Sequence, residues 1–547
     1  MRLISVKVLN NDGFRSIASN ALYMFDLSEL DKNQVSTKIF AGVNGSGKSN
    51  FLELLSEIFF FLEMYHLPST KKEYKKGKHI GFEIEYLIPN PHDIVDKLYI
   101  DASNDDTIQV RIVKLLGELP EFSIKRVFDE EFRTRVDEET DLLLPRRIVA
   151  YTSGQNELLS NAYQKLRYHY FESFQKGNSC DSISDKHRLL YLDSSINHAV
   201  FIANMLLADE NKLSYILNIL KIKKLQSFRI TLNEVDINNK PIAFQQQLKE
   251  NVEKLKKCAT TWIKKVDGKR QYHIFDYYVN EATIKAFKHY FGTAFELFKT
   301  LYDLEMLNPY LMRSRDRKLM TGVDKSFNFS DDLGKHNPFR LIFRLENILL
   351  SKVLEEKTIS IYYKALSDGE HQFNEVIGTI LMMDEDGCLF LMDEPDTHFN
   401  PKWRAKMVDM INNVSAISFD SNKRPTEVCK QDIIITTHSP FIVSDTKKED
   451  VYIFEKDRNG TSYRKPKVET YGASINLILQ EVFSRNITIS DYANAEIEEL
   501  KQQINKAESI DELLDIRESV FKFGESFEKF DLYNFLSIKE EELEGNL

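Results

Sequence analysis

The pattern of apolar and polar residues near the N-terminus predicts a strand, a glycine-rich turn and a helix in direct succession. Residues 35–41 form a short apolar run that stops at a glycine, as expected of a buried strand. From Asn50 to Leu62 apolar residues recur at helical spacing, which predicts a helix right after the turn. This order of elements is the context that a phosphate-binding loop requires.

Other parts of the chain show the alternation that is typical of strands. Residues 3–8 alternate between apolar and polar side chains and end in an Asn-Asn-Asp-Gly turn. Residues 82–86, 98–100 and 108–113 add three β-patterned runs, so we expect a small antiparallel β subdomain after the first helix. Residues 145–151 then return as a strand.

Helical periodicity dominates most of the middle of the chain, and two apolar strands follow it at residues 388–392 and 432–436. The Glu- and Lys-rich end of the chain is helical in pattern again. We therefore predict an α/β fold, a mixed sheet with flanking helices and an antiparallel β subdomain. Its predicted parts are an N-terminal lobe at residues 1–157, a large helical insertion at 158–343, a C-terminal lobe at 344–489 and a helical tail at 490–547.

The charge balance limits how this protein can bind nucleic acid. The 547 residues include 73 Lys and Arg against 84 Asp and Glu, a net charge of -11, so any nucleic-acid contact must come from local basic patches. Basic clusters at residues 221–224, 254–257, 264–270 and 313–318 are each explained most simply as solvated helix faces. Residues 71–78 are the strongest candidate contact, because a tyrosine lies among lysines with few acids.

Cysteine spacing and hydropathy indicate where in the cell the protein is found. Cys180, Cys258, Cys388 and Cys429 lie too far apart in sequence to suggest a metal knuckle or a redox pair, so we expect reduced thiols. No segment approaches the roughly 18 uninterrupted apolar residues of a membrane span, and the N-terminus leads into a charged strand. We expect a cytoplasmic protein without membrane contact.

The glycine-rich turn carries the first candidate chemistry. Gly42, Gly45 and Gly47 let backbone N–H groups converge on an anion at a helix N-terminus. Lys48 would reach the β- and γ-phosphates of a nucleotide, and the Ser49 hydroxyl would hold Mg²⁺.

Three later stretches add candidate residues at strand or helix ends. Asp393 and Glu394 close an apolar strand, so Asp393 can bind Mg²⁺ while Glu394 activates or orients a water molecule. Ser367 and Gly369 precede a helix and suit a γ-phosphate. His438 follows a β-branched strand that ends in the same crevice.

With Lys48, Ser367, Asp393 and His438 in this order, the sequence resembles ABC-type ATPase heads, in the branch shared with SMC-like DNA-repair ATPases and the overcoming-lysogenisation-defect family. That resemblance implies ATP and Mg²⁺ as cofactors, and it assigns catalysis to Glu394 and His438. It assigns Mg²⁺ to Ser49, Asp393 and Gln155. Its nucleotide-binding positions are Gly42, Asn44, Gly45, Gly47, Lys48, Ser49, Asn50, Gln155, Ser367, Gly369, Glu370, Asp396 and His398.

Within this branch the sequence looks most like the PtuA-type ATPases of Septu and retron-associated defence systems. The stretches that carry the likeness are residues 151–157, 393–401 and 471–476. The family implies an HNH nuclease partner (PtuB) and, in retron systems, a reverse transcriptase with its RNA-linked DNA. It also implies a homodimer through the ATP sites, with a higher oligomer as an alternative, because Ser367 and Gly369 would complete the partner's site.

Three other functions fit part of the pattern. A DNA-repair ATPase acting on DNA ends is the main alternative, but the heptads of its long coiled coil are absent. A transporter subunit would not need roughly 300 residues between Lys48 and Ser367. An intrinsic nuclease of the Toprim type would need more residues than follow the strand at 451–457, which ends in an Asn-Gly hairpin turn. We therefore expect an ATPase that regulates a partner nuclease, senses or holds nucleic acid, and cleaves none itself.

Overall fold

The computed structural model describes residues 1–25, 35–67, 70, 72–77, 80–91, 107–127, 129–132, 134–153, 157–175, 187–235, 242, 244, 246–267, 270–308, 341–420, 425–484 and 489–544. Its strands are β1 Arg2–Val8, β2 Leu22–Met24, β3 Ser36–Ala41, β4 Phe82–Pro89, β5 Thr107–Lys114, β6 Glu121–Arg126, β7 Thr134–Val136, β8 Arg147–Thr152, β9 Leu189–Leu192, β10 Ile222–Asn233, β11 Thr261–Asp267, β12 Arg270–Tyr278, β13 Phe343–Leu354, β14 Lys357–Tyr362, β15 Cys388–Asp393, β16 Ala416–Phe419, β17 Pro425–Val428, β18 Asp432–Thr437, β19 Val451–Asp457 and β20 Gly460–Arg464.

The α-helices are α1 Lys48–His66, α2 Lys72–Lys75, α3 Glu157–Gln175, α4 Ser194–Leu207, α5 Glu210–Leu220, α6 Gln246–Cys258, α7 Glu281–Phe291, α8 Ala294–Glu305, α9 Asp368–Phe373, α10 Thr379–Met382, α11 Pro401–Arg404, α12 Met407–Val414, α13 Pro440–Ser444, α14 Ile475–Phe483, α15 Asp491–Lys506, α16 Ile510–Val520 and α17 Phe527–Glu544. Short 3-10 or π turns occur at Thr140–Leu143, Tyr363–Ala365, Asn374–Gly378 and Lys448–Asp450.

The central sheet has seven strands in the order β20-β19-β3-β18-β15-β8-β9, and every pair except β19 with β20 is parallel. Strands β15 and β18 are buried along their whole length, as their apolar, β-branched sequences predict. Asp393 pairs with Thr436 on one side and with Thr152 on the other. The carboxyl ends of these strands therefore lie level, at one edge of the sheet.

A buried ion pair joins two of the central strands near their beginnings. Asp432 accepts hydrogen bonds from Lys38 Nζ at 2.5 Å, Ser36 Oγ at 2.8 Å and the backbone N–H of Leu3 at 2.7 Å. Burial lowers the pKa of Lys38, and the carboxylate of Asp432 opposes that effect. The pair ties β3, β18 and the N-terminal strand together.

The N-terminal region forms an antiparallel sheet in the order β2-β1-β4-β5-β6-β7, which confirms the predicted β subdomain. Residues 98–100, also predicted as a strand, lie outside the described residues. The α/β fold with a mixed sheet, flanking helices and a helical tail is likewise confirmed.

The predicted helical insertion contains the helices α3 to α8, but it also contains strands that the sequence pattern did not indicate. Within residues 158–343, β9 belongs to the central sheet, and β10, β11 and β12 form with β13 and β14 a five-stranded antiparallel sheet in the order β11-β12-β10-β13-β14. In β10 the buried residues Ile222, Leu225 and Phe228 recur every third position because β-bulges interrupt the pairing with β13. That spacing mimics a helix, so the basic cluster at 221–224 was assigned to the wrong type of element. The cluster at 264–270 likewise lies on the β11–β12 hairpin and not on a helix, and the cluster at 313–318 lies outside the described residues.

Helices α15, α16 and α17 form the predicted tail around a separate apolar core. The core consists of Ile497, Ile504, Ala507, Leu513, Val520, Leu532 and Leu536. Across the described part of the chain, no helix combines the length and the hydrophobicity needed to cross a bilayer. The described cysteines, at 258, 388 and 429, are buried and free.

Candidate nucleotide-binding site

The loop between β3 and α1 has a backbone that only glycine fits at two points. Gly42 has a φ of 141°, and a Cβ there would lie 2.4 Å from the carbonyl oxygen of Phe454. Gly47 has a φ of 99°, and its Cβ would lie 2.2 Å from Oγ1 of Thr461. The loop is therefore pressed against the β19–β20 hairpin, which holds its backbone in place. Gly45 is open on the solvent side, and Asn44 is exposed beside it.

Lys48 begins α1 and its side chain folds back over the loop. Its Nζ donates to the carbonyl oxygens of Gly42 at 3.0 Å and Val43 at 3.2 Å. Burial lowers the pKa of Lys48 to about 8, while the carboxylates of Glu394 and Asp393 act in the opposite direction. A partly desolvated ammonium group at a helix N-terminus is well placed for a phosphate.

Ser49, Asp393 and Thr436 form a chain of hydrogen bonds beneath the loop. The hydroxyls of Ser49 and Thr436 both donate to Oδ1 of Asp393, at 2.9 Å and 2.6 Å. Thr436 also accepts from the backbone N–H of Glu394 at 3.1 Å. Thr436 was not among the site residues predicted from the sequence. The signal was present, because this threonine ends a β-branched strand two positions before His438.

Glu394 and His438 lie next to Lys48 at the mouth of the site. Nε2 of His438 is 3.2 Å from Oε1 of Glu394 and also 3.2 Å from Nζ of Lys48. The hydrogen bond from His438 lowers the pKa of Glu394, so the carboxylate is ionised at neutral pH. If Nε2 carries the proton and donates to Glu394, it cannot accept from Lys48 at the same time.

The predicted signature stretch forms a helix cap. Ser367 caps α9 through a reciprocal capping box with Glu370, whose carboxylate also binds Lys352. Burial tends to raise the pKa of Glu370, but hydrogen bonds from Lys352 and Ser367 lower it overall. A Cβ on Gly369 would lie 2.7 Å from the carbonyl oxygen of His398. Gly369 therefore allows α9 to approach the 396–398 turn.

Asp396, in the same turn, is tied to the central sheet. It accepts from the Thr437 hydroxyl at 3.2 Å and forms an ion pair with Arg404 at 3.4 Å. Burial raises the pKa of Asp396, and Arg404 opposes this. The backbone N–H of His398 donates to Gln372.

Asn50 and Gln155 were also predicted to bind the nucleotide. The side-chain amide of Asn50 donates to Oγ of Ser16 at 2.7 Å, so it links α1 to the N-terminal strands. Gln155, predicted to contact both nucleotide and Mg²⁺, lies outside the described residues.

The donor set fits a nucleotide with Mg²⁺. Ser46 Oγ is buried in the loop and has no hydrogen-bond partner among the described residues. Ser49 and Asp393 supply a hydroxyl and a carboxylate oxygen in contact, the hard ligands that Mg²⁺ prefers alongside phosphate oxygens and water. Within the described ranges, no three His, Cys, Asp or Glu residues cluster so that they could hold a metal ion without such a phosphate.

Comparison with known proteins agrees with this geometry. Residues 185–444 match the family model described as "AAA domain, putative AbiEii toxin, Type IV TA system". That stretch includes the Ser367, Asp393 and His438 segments but not the loop at 42–49, which the parallel pairing of β3 with β18 brings to them.

Two relatives are similar over shorter stretches. Protein ea59 of Escherichia phage lambda is 24% identical over 210 residues, 36% of this chain and 38% of ea59. Septu protein PtuA of Bacillus thuringiensis is 28% identical over 152 residues, 27% of this chain and 35% of PtuA. The chain thus matches little more than a third of the length of either relative. Together with the fold, these matches show that the chain is similar to ABC-type AAA-family ATPases, with Septu protein PtuA among the similar proteins.

Proposed function

We propose that this protein binds and hydrolyses ATP with Mg²⁺, and that its nucleotide state regulates a partner effector nuclease in an anti-phage defence system. One observation carries the proposal: at the carboxyl ends of three parallel strands, Lys48 and Glu394 both lie 3.2 Å from Nε2 of His438, and Ser49 donates to Asp393, which Thr436 connects to the backbone of Glu394. The similarity to a Septu protein supports the defence setting.

Each side chain has a distinct role in this proposal. Lys48 binds the β- and γ-phosphates, while Ser49 and Asp393 hold Mg²⁺, which neutralises charge on the phosphates. Glu394, ionised and close to His438, orients the attacking water and takes its proton. Nε2 of His438 can donate to one acceptor at a time, so its donation to the γ-phosphate would replace its contact with Glu394.

Active sites formed between two copies are part of the proposal. In an ABC-type arrangement Ser367 and Gly369 face the nucleotide of the partner subunit, across a two-fold axis. Mixing Lys48→Ala protein with Ser367→Arg protein should therefore restore one intact site in each heterodimer, and ATPase activity should reappear. A mixture that forms heterodimers without recovered activity would contradict the shared site.

The tail offers a surface for the partner nuclease. Helix α17 is apolar on two opposite sides: Leu532 and Leu536 are buried, whereas Phe527, Phe530 and Ile538 are each more than half exposed. Large apolar side chains exposed on the side of a helix that faces away from its core offer a docking surface. Residues 490–547 carry 16 acidic against 6 basic side chains, so the tail has a net charge of -10, whereas the whole chain has a net charge of -11. That charge suits a cationic partner, as nucleases that bind polyanions often are.

The experiment compares the protein alone with the complex that it forms with an HNH nuclease. We expect the isolated chain to leave DNA and RNA intact with Mg²⁺, Mn²⁺ and ATP, and the triggered complex to be toxic in cells. Exchanging Phe527 and Phe530 for serine should release the nuclease and leave ATP hydrolysis unchanged. Robust cleavage by the isolated chain, unaffected by Lys48→Ala, would overturn the proposal.

The protein also senses or holds nucleic acid in this proposal. The run at residues 71–78 was the strongest sequence candidate, but residues 71 and 78 lie outside the described part. Within it, Nζ of Lys75 stands over the ring of Tyr65 at 5.2 Å. The hairpin formed by β11 and β12 has more exposed aromatic and basic groups.

A further inference from the structure

The hairpin formed by β11 and β12 is the most exposed part of the five-stranded sheet. Strand β11 lies at the edge of that sheet. All of residues 261–266 are exposed, so both faces of the strand are accessible. Three of the exposed side chains are large and apolar: Trp262 is 45% exposed, Ile263 52% and Val266 60%. A protruding hairpin with bare apolar groups on both faces indicates a binding surface.

The charge around this hairpin is opposite to that of the whole molecule. Residues 246–278 contain eight Lys and Arg against four Asp and Glu, a net charge of +4 in a chain of net charge -11. Two of the four acids are engaged locally, since Asp276 forms a two-point ion pair with Arg229 and Glu253 lies 3.6 Å from Lys256. The surface therefore presents excess positive charge.

Each face of the hairpin has an aromatic ring beside a lysine. Nζ of Lys256 stands 4.0 Å from the centre of the Trp262 ring, on the side of the hairpin that faces α6. On the other face Lys265 stands 6.0 Å from the Tyr272 ring, which pairs with it across the strands. Lys264 is held by Glu234 at 2.8 Å and Lys256 lies 3.6 Å from Glu253, so both contribute less free charge than Lys265.

We propose that the β11–β12 hairpin and the adjoining end of α6 bind single-stranded nucleic acid. Bases stack on Trp262 and Tyr272, and Lys256 and Lys265 contact the flanking phosphates. Stacking on exposed rings beside lysines is how sequence-tolerant proteins hold single strands. The inference rests on the nucleic-acid part of the proposed function and is independent of ATP hydrolysis.

A protein strand is the competing occupant of this edge. Lysines on an edge strand discourage pairing with another strand, and β11 carries Lys264 and Lys265 in its centre. The same lysines attract a polyanion, so charge favours nucleic acid.

The test measures fluorescence anisotropy of labelled oligothymidine, oligouridine and duplex DNA of equal length, with full-length protein at several salt concentrations. Trp262→Ala should weaken single-strand binding about tenfold or more, whereas Trp262→Phe should retain most of it because stacking remains. Replacing both Lys256 and Lys265 by alanine should reduce the slope of log affinity against log salt concentration by about 1.4, because each lost phosphate contact contributes about 0.7.

Control variants separate the possible outcomes. Lys506 and Lys522, exposed on the tail, form a matched pair whose exchange for alanine should leave the salt slope unchanged. ATP binding should be the same in every variant. Wild-type binding that the hairpin variants retain in full would overturn the inference but leave the proposed function standing, whereas no wild-type binding would remove both the inference and the nucleic-acid role. Preference for duplex, or a change of oligomeric state without a change in nucleic-acid affinity, would also contradict it.

Discussion

Replacing Thr436 by valine tests the hydrogen-bond chain that positions Asp393. Valine keeps the shape of the side chain, which is fully buried, and removes the hydroxyl that donates to Asp393 at 2.6 Å. The backbone N–H of Glu394 loses one acceptor but keeps the carbonyl oxygen of Thr436 at 3.2 Å. The main loss is therefore one hydrogen bond to a carboxylate, worth about 1.5–3 kcal/mol.

If Asp393 holds Mg²⁺ in the transition state, that loss should lower kcat/KM by roughly ten- to a hundredfold. The assay is steady-state ATP hydrolysis at saturating and limiting Mg²⁺, with the larger defect at limiting Mg²⁺. Thr379→Val is the matched control, because the hydroxyl of Thr379 is buried without a partner among the described residues. Equal activity of the Thr436→Val variant and the wild type at all Mg²⁺ concentrations would refute the reasoning.

Three further outcomes are expected. Burial lowers the pKa of Lys48 to about 8, and a phosphate binds the protonated form better, so ATP affinity should fall as pH rises through that value; calorimetry in two buffers near that pH should show proton uptake, and an affinity that does not change there would contradict this. Gly369→Ala should displace the carbonyl oxygen of His398 and reduce ATP turnover more than ATP binding, whereas Gly524→Ala, in open space, should change neither. Lys38→Met leaves a buried carboxylate unpaired and should lower the free energy of unfolding by about 3 kcal/mol in urea titrations; a loss below about 1 kcal/mol would contradict it.

The sequence predicted two strands of the central sheet well because those strands are almost entirely apolar or β-branched. Residues 388–392 and 432–436 read as buried strands, and the structure places them at Cys388–Asp393 and Asp432–Thr437. A glycine-rich turn between a strand and a helix can be recognised locally, because glycine readily adopts the positive φ found at Gly42, Gly45 and Gly47. Such features depend on neighbours in sequence.

Features that depend on distant segments were harder to predict. The bulges of β10 gave its apolar residues a helical spacing, so a strand was taken for a helix. Thr436 acts only because β15 lies beside β18, a pairing that no local pattern reveals. The basic clusters likewise looked like ordinary helix faces until the β11–β12 hairpin placed Trp262 beside Lys256.

The most direct test of the central claim compares ATP binding and single-turnover hydrolysis by the Lys48→Ala and Glu394→Gln variants. Lys48→Ala should abolish ATP binding, because it removes the ammonium group at the loop. Glu394→Gln should bind ATP as the wild type does and hydrolyse it at least about a hundredfold more slowly, because glutamine keeps the shape and cannot accept a proton. Wild-type ATP affinity in Lys48→Ala, or undiminished hydrolysis by Glu394→Gln, would contradict the account.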